Sequence, residues 1–132
     1  MKGYFANIEE ETLSNSDFRR VLYTGKHAQL VLMSLPAGSE IGMEVHEEND
    51  QFFRFESGTG LVVIDGNNYQ VSDGSAIIVP AGAEHNVVNT SQTEDLKLYT
   101  IYSPPHHKDG IVRATKEQAE ADDEHFDGVT TE

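Results

Sequence analysis

The sequence has no cysteine and no tryptophan, and only 9 Lys and Arg stand against 23 Asp and Glu. Without cysteine there is no disulfide, thiolate metal site, iron–sulfur ligation or cysteine nucleophile. The formal net charge of −14 excludes a simple nucleic-acid binder, because no basic patch could easily outweigh it. Anionic membranes are disfavoured for the same reason. No apolar run approaches the ~20 residues of a membrane-spanning helix. The N-terminus, Met1-Lys2-Gly3-Tyr4-Phe5, runs into Glu9-Glu10-Glu11 without the apolar stretch of a signal peptide. The expectation is a soluble, cytoplasmic protein. What is present is 132 residues, 37% hydrophobic, with 11 Gly. That length suits one domain burying roughly two thirds of its unfolded surface. The composition is lean, but it is not that of a disordered chain.

Through Arg20 the sequence is polar and mixed, and Thr12, Ser14, Asn15 and Ser16 read as turn chemistry rather than a regular element. Residues 1–27 are accordingly taken as an N-terminal extension. Gln29 to Leu35 is apolar and too short for a typical helix before Pro36 and Gly38, so it reads as a buried strand. Gln51-Phe52-Phe53-Arg54-Phe55 is a second strand candidate ending at Ser57-Gly58-Thr59-Gly60. Leu61 to Ile64 and Tyr69 to Val71 flank Asp65-Gly66, a strong hairpin signal. Ala76 to Val79, His85 to Asn89 and Leu96 to Tyr102 continue the series. Seven or eight short strands between 28 and 103 argue for an all-β antiparallel barrel or sandwich. Pro104-Pro105 ends the last strand. The remainder, 104–132, reads as a loop and an acidic helix from Thr115, the N-cap, to Phe126.

Histidine occurs at 27, 46, 85, 106, 107 and 125. Only His46 and His85 fall within the strand core. Glu44 and His46 share a strand at i, i+2, which points both to one face. Gln51 follows an irregular Glu47-Glu48-Asn49-Asp50 stretch that strand parity cannot cross. Phe53 and Phe55 alternate toward one face, as do Tyr99 and Ile101. The default for such residues is core packing; those facing a cavity would give it apolar walls, which makes Phe53 and Tyr99 candidate substrate contacts. Arg54 falls out of phase and should point outward. His106-His107 either folds over a barrel mouth and contacts substrate, His106 being the candidate contact, or lies in an exposed loop. His125 reads as a helix-surface or docking residue. Asn89 is expected to bond backbone near its strand end. No Gly-rich phosphate loop, G-x-S-x-G elbow or Ser/His/Asp set is present.

Gly38-x5-Glu44-x-His46-x4-Gln51-x6-Gly58 resembles the first motif of the cupin superfamily. Gly74-x5-Pro80-x-Gly82-x2-His85-x3-Asn89 resembles the second, and 15 residues separate them. Phe18 to Leu22, Thr24-Gly25-Lys26, Leu98 to Tyr102, Pro104 to His107 and His125 to Gly128 make the chain similar to small single-domain bacterial cupins of the mannose-6-phosphate isomerase-like type. The resemblance implies a jelly-roll barrel, a double-stranded β-helix, enclosing a divalent transition metal such as Zn, Mn, Fe, Ni or Co. It places the ligands at Glu44, His46, Gln51 and His85. Two of these depart from the usual set: a carboxylate replaces the first histidine, and an amide replaces the glutamate.

Two imidazoles and one carboxylate still suit a divalent ion. Gln51 would add a neutral oxygen or orient Glu44 or a water. The alternative is a decayed metal site whose residues merely line a cavity. Two functions follow: a metal-dependent enzyme on a small polar molecule, isomerase- or epimerase-like or oxygenase-like, or a non-catalytic binder of a sugar or carboxylate. The resemblance also implies a homodimer formed by edge-strand pairing, with residues before 28 as a candidate strand.

Overall fold

The computed structural model describes residues 1–132. Ten strands form two sheets. In chain order they are β1 (Arg19–Thr24), β2 (Gln29–Leu35), β3 (Glu44–Val45), β4 (Asp50–Ser57), β5 (Gly60–Ile64), β6 (Asn67–Val71), β7 (Ala76–Val79), β8 (Glu84–Asn89), β9 (Leu96–Ser103) and β10 (Val112–Arg113). The six-stranded sheet runs β10-β1-β2-β9-β4-β7 and the four-stranded sheet β3-β8-β5-β6, with every pairing antiparallel. This is the expected all-β jelly roll with a short C-terminal helix. Eight of the ten strands lie between 28 and 103. β1 and β10 lie outside that span and belong to the large sheet. β1 is paired on both sides within its own chain, so edge pairing through it would have to displace β10.

Two turns show how local chemistry sets the register. Asp65 and Gly66 both have positive φ, 45° and 80°, the twist that a two-residue hairpin between right-twisted strands requires. Ile64 therefore faces Asn67 across β5 and β6. Gly58 has φ 95°, and a side-chain carbon there would lie 2.5 Å from the Asp95 carbonyl oxygen. Only glycine lets the chain leave β4 so close to the start of β9.

The core is layered along the strands. Inward residues on β4 are Gln51, Phe53 and Phe55; on β9 they are Tyr102, Thr100, Leu98 and Leu96. Both strands thus run from a polar end to an apolar one. Phe53, Phe55, Leu35, Leu96, Leu98 and Val62 are fully buried at the apolar end. Asn89 closes that end as expected: its amide reaches the carbonyls of Leu35, Pro36 and Glu94, and its oxygen accepts from Ser91 N.

Three expectations need correction. The polar N-terminal stretch contains a helix, α1 (Ile8–Ser14), capped by the Asn7 side chain accepting from Glu10 N. Its Thr12 is buried because the helix packs on the large sheet over β9, β4 and β2. The acidic helix α2 spans only Lys116–Ala121 with Thr115 as N-cap; it stops at Asp122, which is extended, so Asp123 to Phe126 lie outside it. Tyr99 and Ile101 lie on the outer face, opposite in phase to the buried Leu98, Thr100 and Tyr102. The reason is register: Tyr99 pairs with Arg54 and Ile101 with Phe52, both outward on β4.

Candidate metal centre

β3 and β8 place Glu44 directly opposite His85. His46, two residues beyond Glu44, points the same way. The turn of the second motif is tied to the first motif by backbone: Gly82 N donates to His46 O at 2.9 Å, and Ala81 N donates to Asp50 Oδ1 at 2.9 Å. His85 is thereby fixed relative to His46 without either side chain taking part.

Glu44 Oε1 lies 3.2 Å from His46 Nε2 and 3.6 Å from His85 Nε2. One ligand atom from each of the three residues falls within 4.8 Å of the others. Yet both Nε2 atoms are buried with no hydrogen-bond partner, so the two imidazoles stand beside the carboxylate without being aligned on it. His85 Nδ1 donates to the Ala83 carbonyl at 3.2 Å, which leaves Nε2 as the nitrogen turned to the cluster. Burial works against ionisation of Glu44, but the close approach of the His46 and His85 imidazoles outweighs it and holds the carboxyl far below the usual range. Burial likewise opposes a charge on His85, and the Glu44 partnership overcomes it, so its pKa is raised. Buried, orphaned donor atoms around one carboxylate are the chemistry a divalent cation satisfies.

Gln51 sits on the inward face of β4. Its Nε2 donates to Thr100 Oγ1 at 3.0 Å, and its buried Oε1 has no partner. Phe53 is fully buried, with its ring edge-on to His85 at 6.3 Å; it is wall and core. Tyr99, on the outer face, does not reach the site. His106 does: its ring lies 4.3 Å from that of His46. Burial, then the neighbouring His107 and His46, push its pKa down to about 3, so it is neutral at physiological pH.

Three residues with a part in the site, Tyr102, Gln29 and Glu124, escape the sequence reading, and His107 is left open there between the barrel mouth and an exposed loop. Tyr102 stacks on His106 and meets His46 edge-on. His107 is buried behind it, its Nε2 3.2 Å from the Tyr102 hydroxyl. Gln29, fully buried on β2, holds the His106–His107 segment: its oxygen accepts from both backbone N–H groups and its amide donates to His107 O. Glu124 of the C-terminal tail meets His107 Nδ1 at 3.1 Å and Arg19 at 3.8 Å. Only the β-period of Tyr102 could have flagged any of these. A cleft of about 260 Å3 opens above the cluster, with Arg19, Glu44, His106 and His107 on the barrel side and Glu124 and His125 among its tail residues.

Two antiparallel sheets closed around an imidazole–carboxylate cluster define the cupin class, and the chain belongs to the cupin family: residues 31–102 match the family described as Cupin domain. It is 50% identical over 126 residues to the uncharacterized protein YrkC of Bacillus subtilis (strain 168), covering 91% of this chain and 67% of that protein. It is 43% identical over 119 residues to the uncharacterized protein L612 of Acanthamoeba polyphaga mimivirus, covering 88% and 74%. The crystal structure of BH2720 from Bacillus halodurans is similar with a TM-score of 0.89 at 46% identity, over 92% of this chain and 96% of that one. No helix is long and apolar enough to cross a membrane.

Proposed function

We propose that this protein is a metal-dependent cupin acting on a small polar organic molecule. Glu44, His46 and His85 would hold a divalent transition metal (Zn, Mn, Fe, Ni or Co), with Gln51 Oε1 as a neutral fourth donor. The observation that carries the reading is the pair of buried, unpartnered Nε2 atoms flanking one carboxylate oxygen. A bound divalent ion supplies Lewis acidity toward a carbonyl or enolate oxygen. The chain's own residues bind and orient: neutral His106 and His107 line the cleft, and buried Tyr102 backs both rings. Isomerase- or epimerase-like chemistry and oxygenase-like chemistry both suit this arrangement, and a mannose-6-phosphate isomerase-like role is one member of the first class.

Elemental analysis of protein purified without an affinity tag, followed by titration with Zn(II) and Co(II), tests the reading. Near-stoichiometric metal is expected, with binding weakened at least 100-fold in both His46→Ala and His85→Ala. Less than a tenth of an equivalent, with none regained on titration, would instead support a cavity that binds a sugar or carboxylate without metal. Oxygen uptake by the Fe(II)-loaded protein across a panel of diketones, thiols and catechols separates the two reaction classes.

A further inference from the structure

Arg19 is the only arginine or lysine lining the cleft above the cluster. Its side chain is 13% exposed, and its Nε is buried without a partner. The guanidinium carbon sits 5.5 Å from the centre of the Phe18 ring, so packing fixes the group before any ligand arrives. Its ion-pair partner is Glu124 Oε1 at 3.8 Å, beyond hydrogen-bonding distance. A guanidinium carries five N–H donors in a planar fork, and one carboxylate oxygen at that distance does not satisfy them. His107 Nδ1 faces the same Oε1 at 3.1 Å.

Arg19 and His107 thus already face a carboxylate, one supplied by the chain itself. Burial opposes its charge, but the His107 hydrogen bond and the nearby Arg19 keep Glu124 ionised. The other acids on the tail side of the cleft have partners of their own: Glu120 pairs with Lys116, Asp122 with Arg113 and Asp123 with His125. Glu124 is the one turned across to the barrel wall. It lies outside every helix and strand. The backbone beyond it is pinned by Phe126 N donating to His106 O at 3.0 Å, so its side chain can leave while the tail stays.

We propose that Arg19 and His107 form a carboxylate-binding subsite of the cleft, occupied at rest by Glu124, and that the small molecule taken here is an organic acid whose carboxylate displaces Glu124. The cleft, about 260 Å3, also reaches Glu44, so an acid anchored at Arg19 turns its other end toward the imidazole–carboxylate cluster. That volume lies below the roughly 300–1,000 Å3 of sites for drug-sized ligands, which suits an acid of few carbons. A neutral sugar would leave the guanidinium unpaired, whereas a carboxylate matches its fork. Calling the acid a substrate rests on the metal-dependent reading above; the subsite itself needs no metal.

The test uses the full-length, metal-free protein near physiological ionic strength, with malonate as the probe and malonamide, its uncharged diamide, as the control. Calorimetric titration should show weak malonate binding by the wild type. Glu124→Ala should tighten it about tenfold, because a tethered competitor is gone. Adding Arg19→Gln to Glu124→Ala should cost about tenfold or more. Malonamide should bind to none of the three. In nuclear magnetic resonance of the 15N-labelled protein, the Arg19 Nε–H signal should shift as malonate is added, which a merely structural arginine would not show. No malonate binding by Glu124→Ala, affinity unchanged from the wild type, affinity undiminished by Arg19→Gln, or equal binding of malonamide would each overturn the proposal. If Arg19→Gln fails to fold, Arg19→Lys, which keeps the charge and loses the fork, should weaken binding severalfold, and an unchanged affinity would sink the subsite. Zn(II) titration of His46→Ala and His85→Ala reads the metal centre separately, so either idea can fail while the other stands.

Discussion

Replacing Gln29 with leucine should lower stability by about 4 kcal/mol, the largest loss expected from any near-isosteric change in the site's surroundings. Gln29 is fully buried. It donates to Thr24 Oγ1 and His107 O and accepts from the backbone N–H of His106 and His107. Leucine keeps the volume and removes all four bonds. Each buried group left unpaired costs roughly 1–3 kcal/mol, and partial access of water to the loop trims the sum. Urea unfolding followed by far-UV circular dichroism measures the loss. A change below about 1 kcal/mol would show that the His106–His107 segment is held by something other than this amide. The histidine rings should also lose their fixed positions over the cluster, seen as narrowed or averaged side-chain resonances.

Acidification should destabilise the metal-free protein steeply between pH 6.5 and about 3. His106 has its folded-state pKa pushed down to about 3 from an ordinary 6.5, chiefly by burial. Within that window the unfolded chain takes up a proton that the folded chain refuses, so stability falls as pH falls. His107, also lowered by burial, acts in the same direction. Glu44 and Glu124, both lowered, add stability above the ordinary carboxyl range that is lost as the pH drops further. His85, raised, works oppositely: its contribution is present in acid and fades as pH rises through its folded-state value. The full His106 shift would correspond to nearly 5 kcal/mol, but the ring is partly open to the cleft, and about 2–3 kcal/mol is expected after solvent screening. Urea midpoints at pH 8 and pH 4 measure the slope. His106→Gln should flatten it by about half, and an unchanged slope would show that the ring is charged or solvated in the folded state.

The fold was readable because its punctuation is local. Gly58, Asp65-Gly66 and Pro80-Ala81-Gly82 specify turns through backbone geometry that few other residues adopt, and turns at those intervals leave room only for short antiparallel strands. Glu44 and His46 were readable as a pair because strand parity puts them on one face, and His85 through the second motif. Parity failed for Tyr99, because the rule says which residues share a face and not which face is inward. The pairing of β9 with β4 decides that, and it makes Tyr102 the residue beside the ligands. Gln29 and Glu124 went unseen, and His107 could be placed only as over the mouth or in a loop, for a different reason. Their roles depend on contacts between positions 78 and 17 residues apart in the chain, which no local pattern encodes. Helix α1 was hidden by its polarity, since it buries Thr12 rather than an apolar stripe.

The polar-to-apolar progression along β4 and β9 has an evolutionary reach. Phe55, Leu96 and Leu98 hold the shell together at one end, while Gln51, Tyr102 and the histidines crowd the other. A lineage can therefore swap a histidine for a glutamate, or a glutamate for a glutamine, without weakening the part that keeps the chain folded. The unusual residues at positions 44 and 51 are the kind of exchange such zoning tolerates, and the polar end can change while architecture stands still.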